Sequence, residues 1–189
     1  MPPALPKLFA RTSRASTWCA LALAAPLAAC GGGDASEFVG VYQVDSHTYA
    51  AMQGGDVACA DTGEAVTTGR PYLQLAVDPF FDEPDLLRLS QCSDAAATDC
   101  VEELVLFSPG GPGLSDESAN SQVGGGFACQ LYYSLSEAAL AGTTLTVTLL
   151  DKYDMPALSE SECSLEAAEA LADSPTCLNV ERWQATRVP

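Results

Sequence analysis

The sequence predicts a mainly β protein: an antiparallel β-barrel or sandwich of seven or eight strands, with one short C-terminal helix, stapled by disulfides. Three observations predict it. Apolar and polar residues alternate with period two in several short runs, most clearly in Phe127–Leu135 and Leu145–Leu149. Clusters of Gly, Pro and Asp separate those runs and read as turns. The same region holds Cys59, Cys92, Cys100, Cys129, Cys163 and Cys177, an even set of the kind that forms a disulfide framework.

Taken in order, Phe38 to Val44 is rich in strand formers and opens the domain. Residues 53–70 are rich in Gly, Asp and Thr and read as loop. Pro71 to Val77 alternates, with Leu73, Leu75 and Val77 on one face. Asp78-Pro79 and Glu83-Pro84 mark a turn before a short strand from Leu86 to Ser90. Its expected partner is Val101 to Phe107, which places Cys92 and Cys100 at the connection. Ser108 to Gly126, with six glycines, reads as the longest loop. Phe127, Cys129, Leu131, Tyr133 and Leu135 then share one face of a strand. Leu145, Val147 and Leu149 alternate with threonines in the next, and Gly142 lies in the turn of this hairpin. Asn179 to Val188 is the closing strand and carries Trp183.

Ser161 to Ala172 departs from this pattern. Leu165, Ala168 and Leu171 recur at helical spacing, Ser161 or Ser164 can cap the start, and Pro175 bars continuation. A short helix held by cysteines at both ends is expected. Closing an eight-stranded sheet into an up-and-down barrel removes its edges, and a two-sheet sandwich produces nearly the same pattern. The Gly40-Val41-Tyr42 opening resembles the Gly-x-Trp of the first lipocalin strand, with Tyr in place of Trp. The strand entry Leu140-Ala141-Gly142-Thr143-Thr144-Leu145 is similar to that of small lipocalin-type barrels. The likeness implies a barrel that can hold a small apolar ligand.

The first thirty residues read as an address. Lys7, Arg11 and Arg14 precede an apolar, small-residue stretch from Trp18 to Leu27, the order of a secretory signal. The stretch is shorter than the about 20 apolar residues that span a bilayer. Leu27-Ala28-Ala29-Cys30-Gly31 resembles the lipobox of bacterial lipoproteins. The resemblance implies cleavage before Cys30, a diacylglyceryl group on its thiol and acylation of the new amine. Acyl chains at about 0.8 kcal/mol per buried CH₂ would anchor the chain to a membrane. Gly31 stands where Asp would retain a Gram-negative lipoprotein in the inner membrane, so the family's sorting rule implies the outer membrane of the cell envelope. The expected organisation is a signal peptide at 1–29, an acylated Cys30 with a flexible tether at 30–36, and a single β-rich domain at 37–189.

Cys19 leaves with the signal in this reading, and six cysteines remain. Zinc is a poor competitor for them, because no C-x-x-C pair occurs and the spacings match no finger or ribbon. Among the 15 possible pairings, the expected set is Cys92–Cys100, Cys163–Cys177 and Cys59–Cys129.

The chain carries 25 Asp+Glu, 8 Lys+Arg and one His, a net charge of −17. Signal removal takes three of the basic residues and none of the acids. That balance argues against nucleic-acid binding, which needs Lys and Arg on one face. It reads as a heavily hydrated, self-repelling surface.

Candidate sites are few. His47 is the only His, so a Ser-His-Asp or Cys-His mechanism would have to use it, and no Gly-x-Ser-x-Gly elbow presents a nucleophile. Ser46-His47-Thr48 reads instead as a strand end whose short side chains bond the local backbone. Asp78, Asp82, Glu83 and Asp85 form a possible calcium cluster without an EF-hand pattern. The interleaved aromatics Phe80 and Phe81 suggest a turn with rings docked inward and acids in water. No phosphate-binding loop, cofactor motif or catalytic set is evident. The expected function is a non-catalytic, lipid-anchored binding domain for a small apolar or amphiphilic ligand. The alternative is a structural or protein-interaction lipoprotein with a filled core, and a more distant one is a hydrolase.

Overall fold

The computed structural model describes residues 34–51, 57–80, 83, 85–110, 113–124, 127–156 and 162–189. The chain order is α1 (Ala35–Phe38), β1 (Gly40–Ala51), β2 (Val57–Ala58), β3 (Glu64–Ala65), β4 (Tyr72–Val77), β5 (Leu87–Cys92) and β6 (Cys100–Gly110). There follow β7 (Gly113–Gly124), β8 (Phe127–Ala141), β9 (Thr144–Asp154), α2 (Leu165–Glu169), a 3₁₀ turn (Ala170–Asp173), β10 (Thr176–Cys177) and β11 (Asn179–Arg187). Eight of these strands pair in the order β1-β4-β5-β6-β7-β8-β9-β11, and β11 returns to β1. The sheet is therefore a closed antiparallel barrel rather than a sandwich, and each of the eight strands has a neighbour on both sides.

The connections of an up-and-down barrel alternate between its ends. The 78–86 turn, the β6–β7 turn and the β8–β9 turn lie at one end, here called lower, with the start of β1 and the finish of β11. Helix α1 plugs that end. Ala35 and Phe38 are buried in the main core with Tyr42, Leu73, Leu75, Leu87, Leu89, Phe107, Leu114, Leu145, Val147 and Trp183. Full burial of one such Leu or Phe is worth about 1.5–3 kcal/mol relative to exposure. The plug is also tied polarly: the Tyr42 hydroxyl donates to Phe38 O at 2.7 Å. Arg187 Nη2 donates to Glu37 O and to the Tyr42 hydroxyl, and its guanidinium lies over the Tyr42 ring.

Closure on β1 is divided. β4 pairs with Gly40–Gln43, and the two-residue β3 pairs with Thr48 and Tyr49 on the upper part. Gly63, at φ +68°, brings the chain against β1: a Cβ there would lie 2.5 Å from the Tyr49 carbonyl carbon. Gly142, at φ +63°, makes the β8–β9 turn expected from the sequence.

Several expectations are corrected. The supposed long loop at 108–126 contains the end of β6 and all of β7, which pairs with β8 from Leu114↔Ala138 to Gly124↔Phe127. The strand has no apolar alternation beyond Leu114, because its upper inward residues, Asp116, Ser118 and Asn120, are polar. Pairing with β8, Leu114 in the core and Ala119 against the outer cluster under α2 hold it in the sheet. The expected common face of Cys129, Leu131 and Tyr133 is real, but it is the outer face. Leu145 and Val147 point into the barrel, whereas Cys129 and Leu131 pack beneath α2 with Ala168. A helix on the outside of the barrel gives β8 an apolar surface on the side that would otherwise meet water.

That helix is shorter than expected, capped by Ser164, whose side chain accepts from the Ala167 amide. A second, single-turn helix, α1, stands where the opening strand was expected to begin, and the strand starts at Gly40.

Disulfides join Cys92–Cys100, as expected, but also Cys59–Cys177 and Cys129–Cys163, in place of Cys163–Cys177 and Cys59–Cys129. The helical segment is pinned at both ends, at Cys163 to the barrel wall and at Cys177 to Cys59. Cys163 reaches Cys129 on the outer face of β8, while Cys177, on β10, bonds Cys59 just after β2, the strand with which β10 pairs.

Candidate functional site

The inner wall changes character along the barrel axis. Below, it is apolar and fully buried. Above Trp183 on β11, the next inward residue is Glu181; above Leu149 on β9 it is Asp151; above Ala138 on β8 come Ser136 and Ser134. On β7, Leu114 is followed inward by the half-buried Asp116 and then by the exposed Ser118 and Asn120, so water reaches this strand from the upper end.

His47 is brought into this region by a β-bulge. Val44 pairs with Ala185 and Ser46 with Gln184, leaving Asp45 as an extra residue. The insertion shifts the side-chain parity of β1, so that Val44 and His47 both face inward although three positions separate them. Asp45, on the outside, accepts from the Thr186 hydroxyl at 2.7 Å. His47 is thus not at a strand end, as the sequence suggested: β1 runs on to Ala51.

The imidazole is buried, with 8% of the residue exposed. It stacks on the Trp183 indole with centroids 4.7 Å apart and planes at 14°. Nε2 lies 2.6 Å from Glu181 Oε1, and Glu181 is the more accessible partner, at the solvent side of the pair. Nδ1 is buried and has no hydrogen-bond partner among the described residues. Beside this pair on the wall, the Ser134 hydroxyl donates to Asp151 Oδ1 at 2.6 Å. Tyr132 and Tyr153, paired across β8 and β9 at 4.7 Å, stand at the upper limit of the same inward row.

The arrangement supplies carboxylates, hydroxyls and one imidazole around an aromatic floor. A carboxylate orienting an imidazole is part of a nucleophile-activating set. The rest of such a set is not assembled: no described hydroxyl or thiol meets Nδ1, and all six cysteines of the domain are in disulfides.

The other sequence candidates lie elsewhere. Asp78 is buried at the lower end, where it accepts from the Phe80 amide at 2.7 Å and faces Arg88 Nε at 3.6 Å. Arg88 also pairs with Glu102 at 2.6 Å. Glu83 and Asp85 of the proposed calcium cluster are exposed on the same turn, and Asp82 lies outside the described residues, as does Phe81. Among the described residues no group of three or more potential metal ligands is assembled. Phe80, expected to dock inward, is 80% exposed, with Arg88 over its ring. Asp78 is buried instead, its charge met by the Phe80 amide and Arg88. Cys30 lies outside the described residues.

The sequence signals missed Glu181, Asp151 and Ser134. Glu181 and Asp151 could have been found by counting inward from Trp183 and Leu149 in steps of two. Ser134 could not, because the apolar face of β8 suggested the opposite side. No protein-family model, curated protein or solved structure matches this chain.

Proposed function

We propose that the chain is a bacterial cell-envelope lipoprotein, held in the outer membrane through an acylated Cys30, whose barrel binds a small amphiphilic ligand without transforming it. The observation that carries the ligand reading is the graded inner wall: an aromatic and aliphatic lower part surmounted by His47, Glu181, Ser134 and Asp151. A ligand with an apolar end directed at Trp183 and a hydrogen-bonding end near Glu181 and Asp151 matches that order. The buried, unpartnered Nδ1 of His47 is a polar atom that such a ligand could satisfy.

Native mass spectrometry of residues 31–189, exported to an oxidising periplasm and purified gently, tests the reading. The expected result is a reproducible extra mass that disappears on denaturation. A bare protein with all three disulfides formed would overturn it.

The second reading is a structural or protein-interaction lipoprotein with a filled core. It is favoured by the lower half of the barrel, where Tyr42, Phe107, Trp183 and the surrounding leucines are almost wholly buried. A hydrolase reading would require a nucleophile at His47, and an activity lost in His47→Ala would be its evidence.

A further inference from the structure

We propose that the lower, helix-plugged end of the barrel faces the bilayer, with Phe80 at the lipid interface, and that the polar upper end faces the aqueous side. The inference rests on the acylation of Cys30 and adds to it an orientation and a contact surface.

The first argument is where the chain enters the barrel. Asp34 caps α1, and α1 is fastened to the lower end by Phe38 in the core and by the Tyr42 and Arg187 hydrogen bonds. Only residues 31–33 separate Cys30 from Asp34. Four residue steps span at most about 14 Å at roughly 3.5 Å each. A barrel strand such as β1, with 12 residues, is about 40 Å long at roughly 3.3 Å per residue. The tether is therefore much shorter than the barrel, and a lipid on Cys30 holds the lower end near the surface.

The second argument is what that end displays. Phe80, the most exposed large apolar residue described, projects from the 78–86 turn at 80% exposure. Val77, at 45%, ends the strand leading into that turn. Val39, at 39%, lies just before the Gly40↔Leu75 pair on the neighbouring strand. An aromatic ring with two valines at the tethered rim suits the interfacial region of a membrane. Exposed apolar residues occur at the upper end too, Val101 and Tyr132 among them, but the lipid attaches at the opposite end. The exposed Glu83 and Asp85 on the Phe80 turn oppose deep insertion and disfavour anionic headgroups. The partner surface is therefore a neutral, zwitterionic lipid interface, contacted shallowly.

The test uses the lipidated full-length product purified from membranes and reconstituted in phosphatidylcholine vesicles with brominated acyl chains. Trp183 is buried in the barrel and Trp18 leaves with the signal, so the background is one shielded indole. Phe80→Trp, and Val77→Trp as a second reporter at the same end, are compared with Val101→Trp at the other. The expected result is several-fold greater bromine quenching at positions 80 and 77 than at 101, reduced when half the lipid is phosphatidylglycerol. Mass spectrometry of the same sample reports the acylation of Cys30. An unacylated Cys30 overturns both the anchor and the orientation. Acylated protein with quenching at 101 equal to that at 80, or with none at 80 and 77, overturns the orientation alone.

Discussion

Lys152 on β9 directs its ammonium at the end of the outer helix, 2.7 Å from the carbonyl oxygen of Ala172. The same nitrogen donates to Leu171 O at 3.0 Å and Ser174 O at 2.8 Å, and lies over the Tyr133 ring. It is the only lysine beyond Lys7. Its three donors meet two carbonyls of the last helical turn and that of Ser174 just beyond it, and its charge complements the helix dipole. Lys152→Met should cost about 3 kcal/mol, the scale of losing charged hydrogen bonds in a buried place. Hydrogen exchange should show the loss concentrated in residues 165–174, ahead of the barrel strands.

The Cys129–Cys163 bridge holds the other end of that helix and closes a loop of 34 residues. Chain-entropy arguments give it about 4 kcal/mol, against about 2.5 kcal/mol for Cys92–Cys100, which closes eight. The double variant Cys129→Ser/Cys163→Ser should therefore lower the urea midpoint more than Cys92→Ser/Cys100→Ser does. Paired denaturation curves check this order.

At the upper end, Glu181 is the partner that lets the His47 imidazole stay buried. Glu181→Ala leaves both ring nitrogens without a partner among the described residues and should cost about 1–3 kcal/mol. For a domain of this size each kcal/mol moves the melting temperature by about 2–4 °C. Glu181→Gln keeps an acceptor on Nε2 and should recover most of the loss. Thermal melts of the two variants, with the Trp183 emission as reporter of the stack, distinguish them.

Alkaline stability follows from three phenols, Tyr42, Tyr133 and Tyr153, whose pKa values the fold raises, at Tyr153 through burial and then the neighbouring Tyr132. Burial raises the pKa of Tyr42 and of Tyr133 above the ordinary 10.0, and at Tyr133 the neighbouring Glu117 raises it further. A group with a raised folded pKa contributes stability that is whole below its unfolded value and is lost as pH climbs past it. Lys152 has the opposite sign: burial lowers its pKa below 10.5, so it relieves the fold over the interval beneath that value. With three phenols against one ammonium, stability should fall above about pH 10, and Tyr133→Phe should flatten the fall. Urea midpoints against pH, with phenolate absorbance followed in parallel, measure it.

The proposed anchor has its own check. Cys30→Ser should move the protein from the membrane fraction to the soluble fraction, with the mass of the acyl groups lost. Recovery of the variant in washed membranes at the wild-type level would count against acylation at this position.

Much of the barrel was legible in the chain. The runs at Pro71–Val77, Leu86–Ser90, Val101–Phe107, Leu145–Leu149 and Asn179–Val188 each became strands, because one face of each meets a core and alternation records it. The hairpin at Gly142, the helix near Leu165 and the Cys92–Cys100 bridge were equally local: turn chemistry, 3.6-residue spacing and a short loop all lie within a few residues of one another. β7 left no such trace, since from Asp116 to Asn120 its inward positions are polar. The period-two pattern of hydrophobicity vanishes where a strand lines a wet end.

What sequence alone determined about this protein is its composition of strands, the one amphipathic helix and the even cysteine set, all properties of short windows. Tertiary structure decided which side of β8 is outside, which cysteines meet, and that a bulge at Asp45 turns His47 onto Trp183 and against Glu181. Each of those depends on residues far apart in the chain, His47 and Glu181 being 134 positions apart. Pairwise contacts at that distance are set by the closure of the barrel, where a single inserted residue reverses the facing of every side chain beyond it.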